Sequence, residues 1–501
     1  MKRILTMLFW FGVMFAHFVG IMAGAYLLGG WVEGFFQGGS RLTNLVILMV
    51  AVVMGIASLL TLAERKWSSL MQNRIGPNRA RINLPGLKDK ALVGIPHFLA
   101  DGMKMLFKED FIPATANKLL YNLGPMLAFA PVFALFAVVP AGPSVTVFGK
   151  PVDMVVATPD FGVLYVFAIA SLAVYGTSLA GWASNNKFAL LGGVRAASQM
   201  ISYEVALGLS LVGLMMAFST VQLPAFVGNV TNELGLGNAA SGQARYLWQW
   251  TGGGGGFDLG LPAWGILLQP LGFIIFFAAA FAETKRAPFD VPEGESEIIG
   301  YFVEYSGMQF GLFMISEFVE IVVLSGVIAC LFFGGYHLPF GGEWLATQLQ
   351  GQPLVYATVL GTFFWLKVLL LCYVQLAIRW TFPRFRYDQI QSLGWKILLP
   401  VGLANVFVSG ALVLLDPSLR YLALFGLLQI GALIALTLSK KGGATEEHGH
   451  GHGHGALGHG GHDAHGLPAG AHGHAALPAH GHGTATVGSH APAGAHVSST
   501  H

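Results

Sequence analysis

The chain has 501 residues, 54% of them hydrophobic and 10% charged, with a mean hydropathy of +0.62 and a formal net charge of +2. A soluble domain is about a quarter charged, so this composition excludes one and implies a polytopic protein whose solvent is the lipid bilayer. The net charge says nothing about nucleic acid, and no basic cluster with interleaved aromatics points to it as a partner. The two cysteines, Cys330 and Cys372, both fall in apolar runs, too few for a Cys-ligated iron–sulfur cluster or a Cys₄ zinc site.

Runs of about 20 apolar residues mark membrane helices. Ten are read, at 4–30, 44–63, 121–139, 161–181, 197–218, 262–282, 309–333, 354–378, 395–415 and 419–438. The first, preceded by Lys2 and Arg3, is longer than a signal-peptide core and is taken as a retained helix. Of the 27 Lys and Arg residues, 22 lie at the N-terminus, in the even-numbered connections and after the last helix. The positive-inside rule therefore places both termini and these connections in the cytoplasm.

In the connection 64–118, residues 95–108 are amphipathic. Ile95, Phe98, Leu99, Met103 and Leu106 share one face, with His97, Asp101, Lys104 and Lys108 on the other. Such a helix lies on the membrane or docks a partner. The external stretch 220–261 holds five consecutive glycines, Gly252 to Gly256, and reads as a flexible insertion without evident chemistry. From His448 onward the tail carries 14 of the 17 histidines. Its composition cannot bury a core. Imidazoles such as His448, His450, His452 and His454 offer incidental metal binding.

One connection stands apart. Between Glu283 and Glu304 lie six of the chain's 25 acids: Glu283, Asp290, Glu293, Glu295, Glu297 and Glu304. Lys285 and Arg286 stand among them, while Pro288, Pro292 and Gly294 prevent one regular helix. Inside the spans lie Glu204, Glu317, Glu320 and Lys367. Intramembrane charge is costly and usually functional, and buried neighbouring carboxylates can hold and release protons near neutral pH. The plainer reading is static ion pairing, for instance Glu317 or Glu320 with Lys367.

Five motifs carry a resemblance: Ala63-Glu64-Arg65-Lys66 with Gln72-Asn73-Arg74-Ile75-Gly76-Pro77-Asn78-Arg79; Ala100-Asp101-Gly102-Met103-Lys104; Arg195 through Glu204; Arg286-Ala287-Pro288-Phe289-Asp290 with Glu293-Gly294-Glu295-Ser296-Glu297; and Arg384 through Gln389. In this order they make the chain similar to the family of H subunits of bacterial NADH:quinone oxidoreductase, respiratory complex I. The resemblance implies an all-α membrane core of eight helices at 44–415. Around it would stand an extra N-terminal helix with its loop (1–43), an extra C-terminal helix (416–438) and a disordered tail (439–501). It implies the membrane side of a quinone chamber, with Glu64, Arg65, Gln72, Arg74, Arg286 and Asp290 lining or supporting it. Glu293, Glu295 and Glu297 would lead from there to a proton path through Glu283, Glu204 and Glu317. It further implies a bacterial inner-membrane location and partners among the peripheral quinone-site, iron–sulfur and antiporter-like subunits. The substrate would be ubiquinone or menaquinone, with no flavin or cluster in this chain. Lys285 and Glu320 depart from the family pattern. Two alternatives remain open: the anchor of a related membrane-bound hydrogenase, and a stand-alone secondary transporter, which would show repeats around a midplane site.

Overall fold

The computed structural model describes residues 2–35, 37–80, 94–228, 241–249, 260–293, 300–349 and 351–446. The described residues are overwhelmingly helical, in keeping with an all-α polytopic membrane protein. The contacts divide the chain into Met1–Ser439 and Lys440–His501. In the second unit the described residues, 440–446, are helical. The histidine tail, including His448, His450, His452 and His454, lies outside the described residues.

Among the described residues, eleven helices of twelve or more residues organise the chain: α1 (Lys2–Glu33), α2 (Gly39–Met71), α3 (Pro96–Phe107), α4 (Lys118–Phe136), α5 (Gly162–Ala183), α6 (Lys187–Phe218), α7 (Pro270–Glu283), α8 (Gly307–Phe332), α9 (Pro353–Thr381), α10 (Tyr387–Leu415) and α11 (Arg420–Glu446). Among the described residues, nine are long and apolar enough to cross a membrane. The exceptions are surface helix α3 and the shorter apolar α7.

The sixth expected span, 262–282, is thus not one helix. A turn at Gly265–Leu268 is followed by Gln269 at φ −142°, and the helix restarts at Pro270. Proline lacks the N–H that would continue the ladder and pushes the preceding residue out of the helical region. The Gln269 side chain turns inward, accepting from Asn405 Nδ2 at 3.2 Å. A Cβ on Gly213 would meet it at 2.1 Å, so glycine there makes the space.

Helices α4, α5, α6 and α7 pack in series, with α10 also on α6. Gly176 lets α5 approach α4 so closely that a Cβ would lie 2.5 Å from the Ala128 backbone nitrogen, the small-residue contact that membrane helices use in place of a hydrophobic drive. α8 is central. Its span is 89% buried, against 22% for α10 and 17% for α11, and it touches α2, α3, α4 and α9.

The described part of the insertion is better anchored than its composition suggests. Strands β1 (Val145–Val147) and β2 (Lys150–Val152) form one antiparallel pair, and β3 (Tyr246–Gln249) and β4 (Gly260–Pro262) another. Buried Gln243 donates to Cys330 O at 2.7 Å and Leu331 O at 3.1 Å, and accepts from Gly265 N and Gly334 N at 3.1 and 3.0 Å. One side chain thereby ties the insertion to the end of α8. Residues 229–240 and 250–259, with the five glycines, lie outside the described residues.

Candidate functional site: a charged cavity beside α8

Helix α2 continues eight residues past the expected end of its span, carrying Glu64 and Arg65 on a regular turn. There they meet the segment after α7. Arg286 Nη1 lies 3.0 Å from Glu64 Oε2, and its Nη2 lies 3.4 Å from Glu317 Oε2 on α8. Arg379, at the end of α9, reaches the other Glu64 oxygen at 3.0 Å. The Arg286 guanidinium also stacks 4.1 Å from the centre of the Phe318 ring, where the ring's negative face favours a cation. Tyr301 donates to Glu317 at 3.3 Å.

Glu64, Arg65, Arg286, Glu293, Glu317 and Arg379 line one side of a cavity of about 230 Å³. Phe98 and Met105 from α3 and Met314, Ile315 and Phe318 from α8 supply its apolar side. Met105 approaches α8 at Gly311, whose hydrogen leaves the sulfur 3.0 Å from a would-be Cβ. The amphipathic helix therefore divides its expected apolar face. Phe98 turns to the cavity, whereas Leu99, Met103 and Leu106 are exposed. From the polar face, Asp101 pairs with Arg65 at 2.6 Å, and His97 Nε2 accepts from the backbone N–H of Arg79 and Ala80, both at 3.0 Å. A wider opening of about 540 Å³ follows, lined by Glu64, Arg65, Arg74, Arg79, His97 and Trp380 among others. Gln72 is exposed and accepts from Arg74 Nε at 2.6 Å.

The segment after α7 is held from several sides. Gln199 Nε2 donates to Ala282 O at 2.7 Å and to Phe289 O at 2.8 Å, and Phe385 N donates to Pro288 O at 3.0 Å. Asp290 is buried but does not line the cavity. It faces Arg384 at 3.1 Å. Burial pushes its carboxyl up to about 7, against the opposing pull of Arg384, with Glu317 adding to the rise. Burial likewise raises Glu293 well above the usual carboxylate range, reinforced by Glu317 and Asp290. Both follow the rule that desolvation and like charge favour the neutral acid. Glu295 and Glu297 lie outside the described residues.

Behind the cavity, Glu283 is 3% exposed, and neither carboxylate oxygen has a hydrogen-bond partner. Glu320, Glu204 and Lys285 are its charged neighbours. Glu204, on α6, accepts from Ser171 Oγ at 2.9 Å. Lys285 Nζ lies 3.9 Å from Glu320 Oε2. Glu317 and Glu320 therefore pair with Arg286 and Lys285, not with Lys367. Lys367 sits at the far end of α8, donating to Phe333 O and Gly335 O, both at 2.8 Å, and to His337 O. At a rise of about 1.5 Å per residue, Phe333 is roughly 20 Å along the axis from Glu320. Sequence reasoning missed Arg379 and Tyr301; a cation in the last turn of a span was the available signal for the first.

The NADH dehydrogenase family model matches residues 43–410. An H subunit of the NADH-quinone oxidoreductase of Cytophaga hutchinsonii is 40% identical over 375 residues, covering 74% of this chain and 96% of that protein. The corresponding H subunit of Flavobacterium johnsoniae is 38% identical over 371 residues, with 74% and 94% covered. NADH-quinone oxidoreductase subunit 8 of Rhodothermus marinus is 39% identical over 374 residues, with 73% and 94% covered. Residues 1–42 and 411–501 lie outside that matched region. The chain thus belongs to the NADH dehydrogenase family, as a multi-pass membrane subunit of an NADH:quinone oxidoreductase.

Proposed function

We propose that this chain forms the membrane side of the quinone chamber of its oxidoreductase and couples quinone reduction to proton translocation through buried carboxylates. The observation that carries the reading is the cavity beside α8, lined both by apolar side chains of α3 and α8 and by the ion cluster of Glu64, Arg286, Glu317 and Arg379. A lipid-soluble quinone suits an apolar site with a few placed polar groups. Reduction of its two carbonyls draws two protons and transiently places negative charge at the ring oxygens. Arg286 and Arg379 are positioned to stabilise that charge. The acids Glu293 and Glu317 respond to it, because a change in local charge shifts which of them holds a proton. Asp290 supports the chamber wall through Arg384, while Glu295 and Glu297 extend the acidic segment. Arg65, Gln72 and Arg74 surround the mouth.

From this cluster the path runs through Glu283 and Glu204 toward antiporter-like membrane subunits. Peripheral quinone-site and iron–sulfur subunits close the chamber above and supply the electrons, this chain holding no redox cofactor. Basic residues concentrated at one side put both termini, the acidic segment and the histidine tail in the cytoplasm of a bacterial inner membrane. The test is photolabelling of the purified complex with an azido-quinone. Labelled peptides from α3 and the end of α2, displaced by a quinone-site inhibitor, are expected. Labelling confined to other subunits would contradict the chamber.

A further inference from the structure

Two charged residues take no part in the cavity, yet both are buried: Lys285 is 6% exposed and Glu320 is 5% exposed. Their 3.9 Å separation is at the long end for an ion pair. A lone buried pair contributes little stability, because desolvating two charges offsets their attraction. Lys285 also sits at φ +53°, a conformation that costs a lysine energy. Stability alone does not account for them.

Their position does. Glu317 and Glu320 are three residues apart on α8, so their side chains share a face with Cβ atoms about 5–6 Å apart. Glu317 belongs to the cavity, bound to Arg286 and Tyr301. Glu320 is a charged neighbour of Glu283, together with Glu204 and Lys285. Glu283, with two unpartnered oxygens, is the group in this region most in need of a proton or a counter-charge.

We propose that Glu320 is the proton relay between Glu317 and Glu283, with Lys285 as the neighbouring cation that offsets its charge when it is the anion. The proposal rests on the coupling reading above and names the step by which cavity and membrane path communicate. A proton on Glu317 passes to Glu320 and then to Glu283. At each hop one O–H bond to the donor carboxyl breaks and one to the acceptor carboxylate forms. Lys285, 3.9 Å from Glu320 and two residues along the chain from Glu283, is placed to offset the charge of whichever is the anion.

The experiment reconstitutes the whole complex in sealed vesicles and measures protons moved per NADH oxidised for Glu320→Gln, Lys285→Met, their double variant and Glu283→Gln. The double variant leaves no unpaired charge, so a merely structural pair predicts that it recovers the wild-type ratio. The relay predicts that it assembles yet loses most pumping per NADH. Recovery in the double variant, with pumping still impaired in Glu283→Gln, overturns the relay alone. A wild-type ratio in all four, Glu283→Gln included, overturns the coupling reading. Should the double variant fail to assemble, Glu320→Asp decides through the infrared difference spectrum of quinone reduction. A shifted carboxyl band is expected, and an unchanged spectrum overturns the relay.

Discussion

The two ends of α8 both bury charge, and they treat it in opposite ways. At the C-terminal end Lys367 meets three backbone carbonyls and the face of Trp264, 4.6 Å from its ring centre. Every donor has a partner, and the ammonium caps carbonyls that the end of a helix leaves open. At the other end carboxylates outnumber what the cations satisfy. Glu283 has no partner for either oxygen, Asp290 has none for one, and the Lys285–Glu320 contact is long. Buried polar groups are ordinarily satisfied. A saturated charge holds a fold together, whereas a cluster left short of partners keeps several protonation states close in energy. The proposed coupling role falls on the second of these clusters.

The contrast can be broken at each end. Arg286→Ala has the largest expected effect on activity. It leaves Glu64 and Glu317 buried without their shared cation, at a cost of about 3–5 kcal/mol, and should abolish quinone reductase activity even in assembled complex. Lys367→Leu comes next. It strips three carbonyls of their donor at about 1–3 kcal/mol each, so the amount of assembled complex in membranes should fall while protons pumped per NADH stay unchanged. Loss of that ratio in Lys367→Leu would erase the proposed division. Gln243→Leu is a smaller version of the same test. It unsatisfies two carbonyls and two N–H groups at the same end and should lower thermal stability without altering the pH profile.

Smallest is a pH effect at the other end. The Asp290 carboxyl is raised to about 7. Below that it is neutral and gains little from Arg384; above it the carboxylate and guanidinium pair fully. Because the folded-state value lies above the ordinary one, the burial of Asp290 weakens stability as pH rises through this range, and Arg384 offsets part of that loss. Arg384→Ala should therefore lower the melting temperature at pH 8 and leave it nearly unchanged at pH 6. Equal shifts at both would contradict the titration.

Much of this was legible in the sequence, for identifiable reasons. Hydropathy located the long helices because apolar length is what a bilayer demands. It stopped α2 at the first charges, although Glu64–Met71 continues the helix, because helix geometry does not end where lipid does. The break at Gln269 was announced by Pro270, yet the apolar run on both sides concealed it. Glu320 and Lys285 stood out singly, but 35 positions of sequence separate them and only the fold brings them together. Lys367 was matched with the wrong partners because composition carries no axial distance. Gln243 gave no signal, since a polar residue near a glycine-rich stretch looks solvated until its four partners are seen.

The account turns most directly on Glu283, the buried acid with neither oxygen bonded. Glu283→Gln removes its charge and its proton with little change in shape, so the complex should assemble. Reconstituted in sealed vesicles and supplied with NADH and quinone, it is expected to move far fewer protons per NADH oxidised than the wild type. An unchanged ratio would contradict the claim that this end of α8 carries the proton.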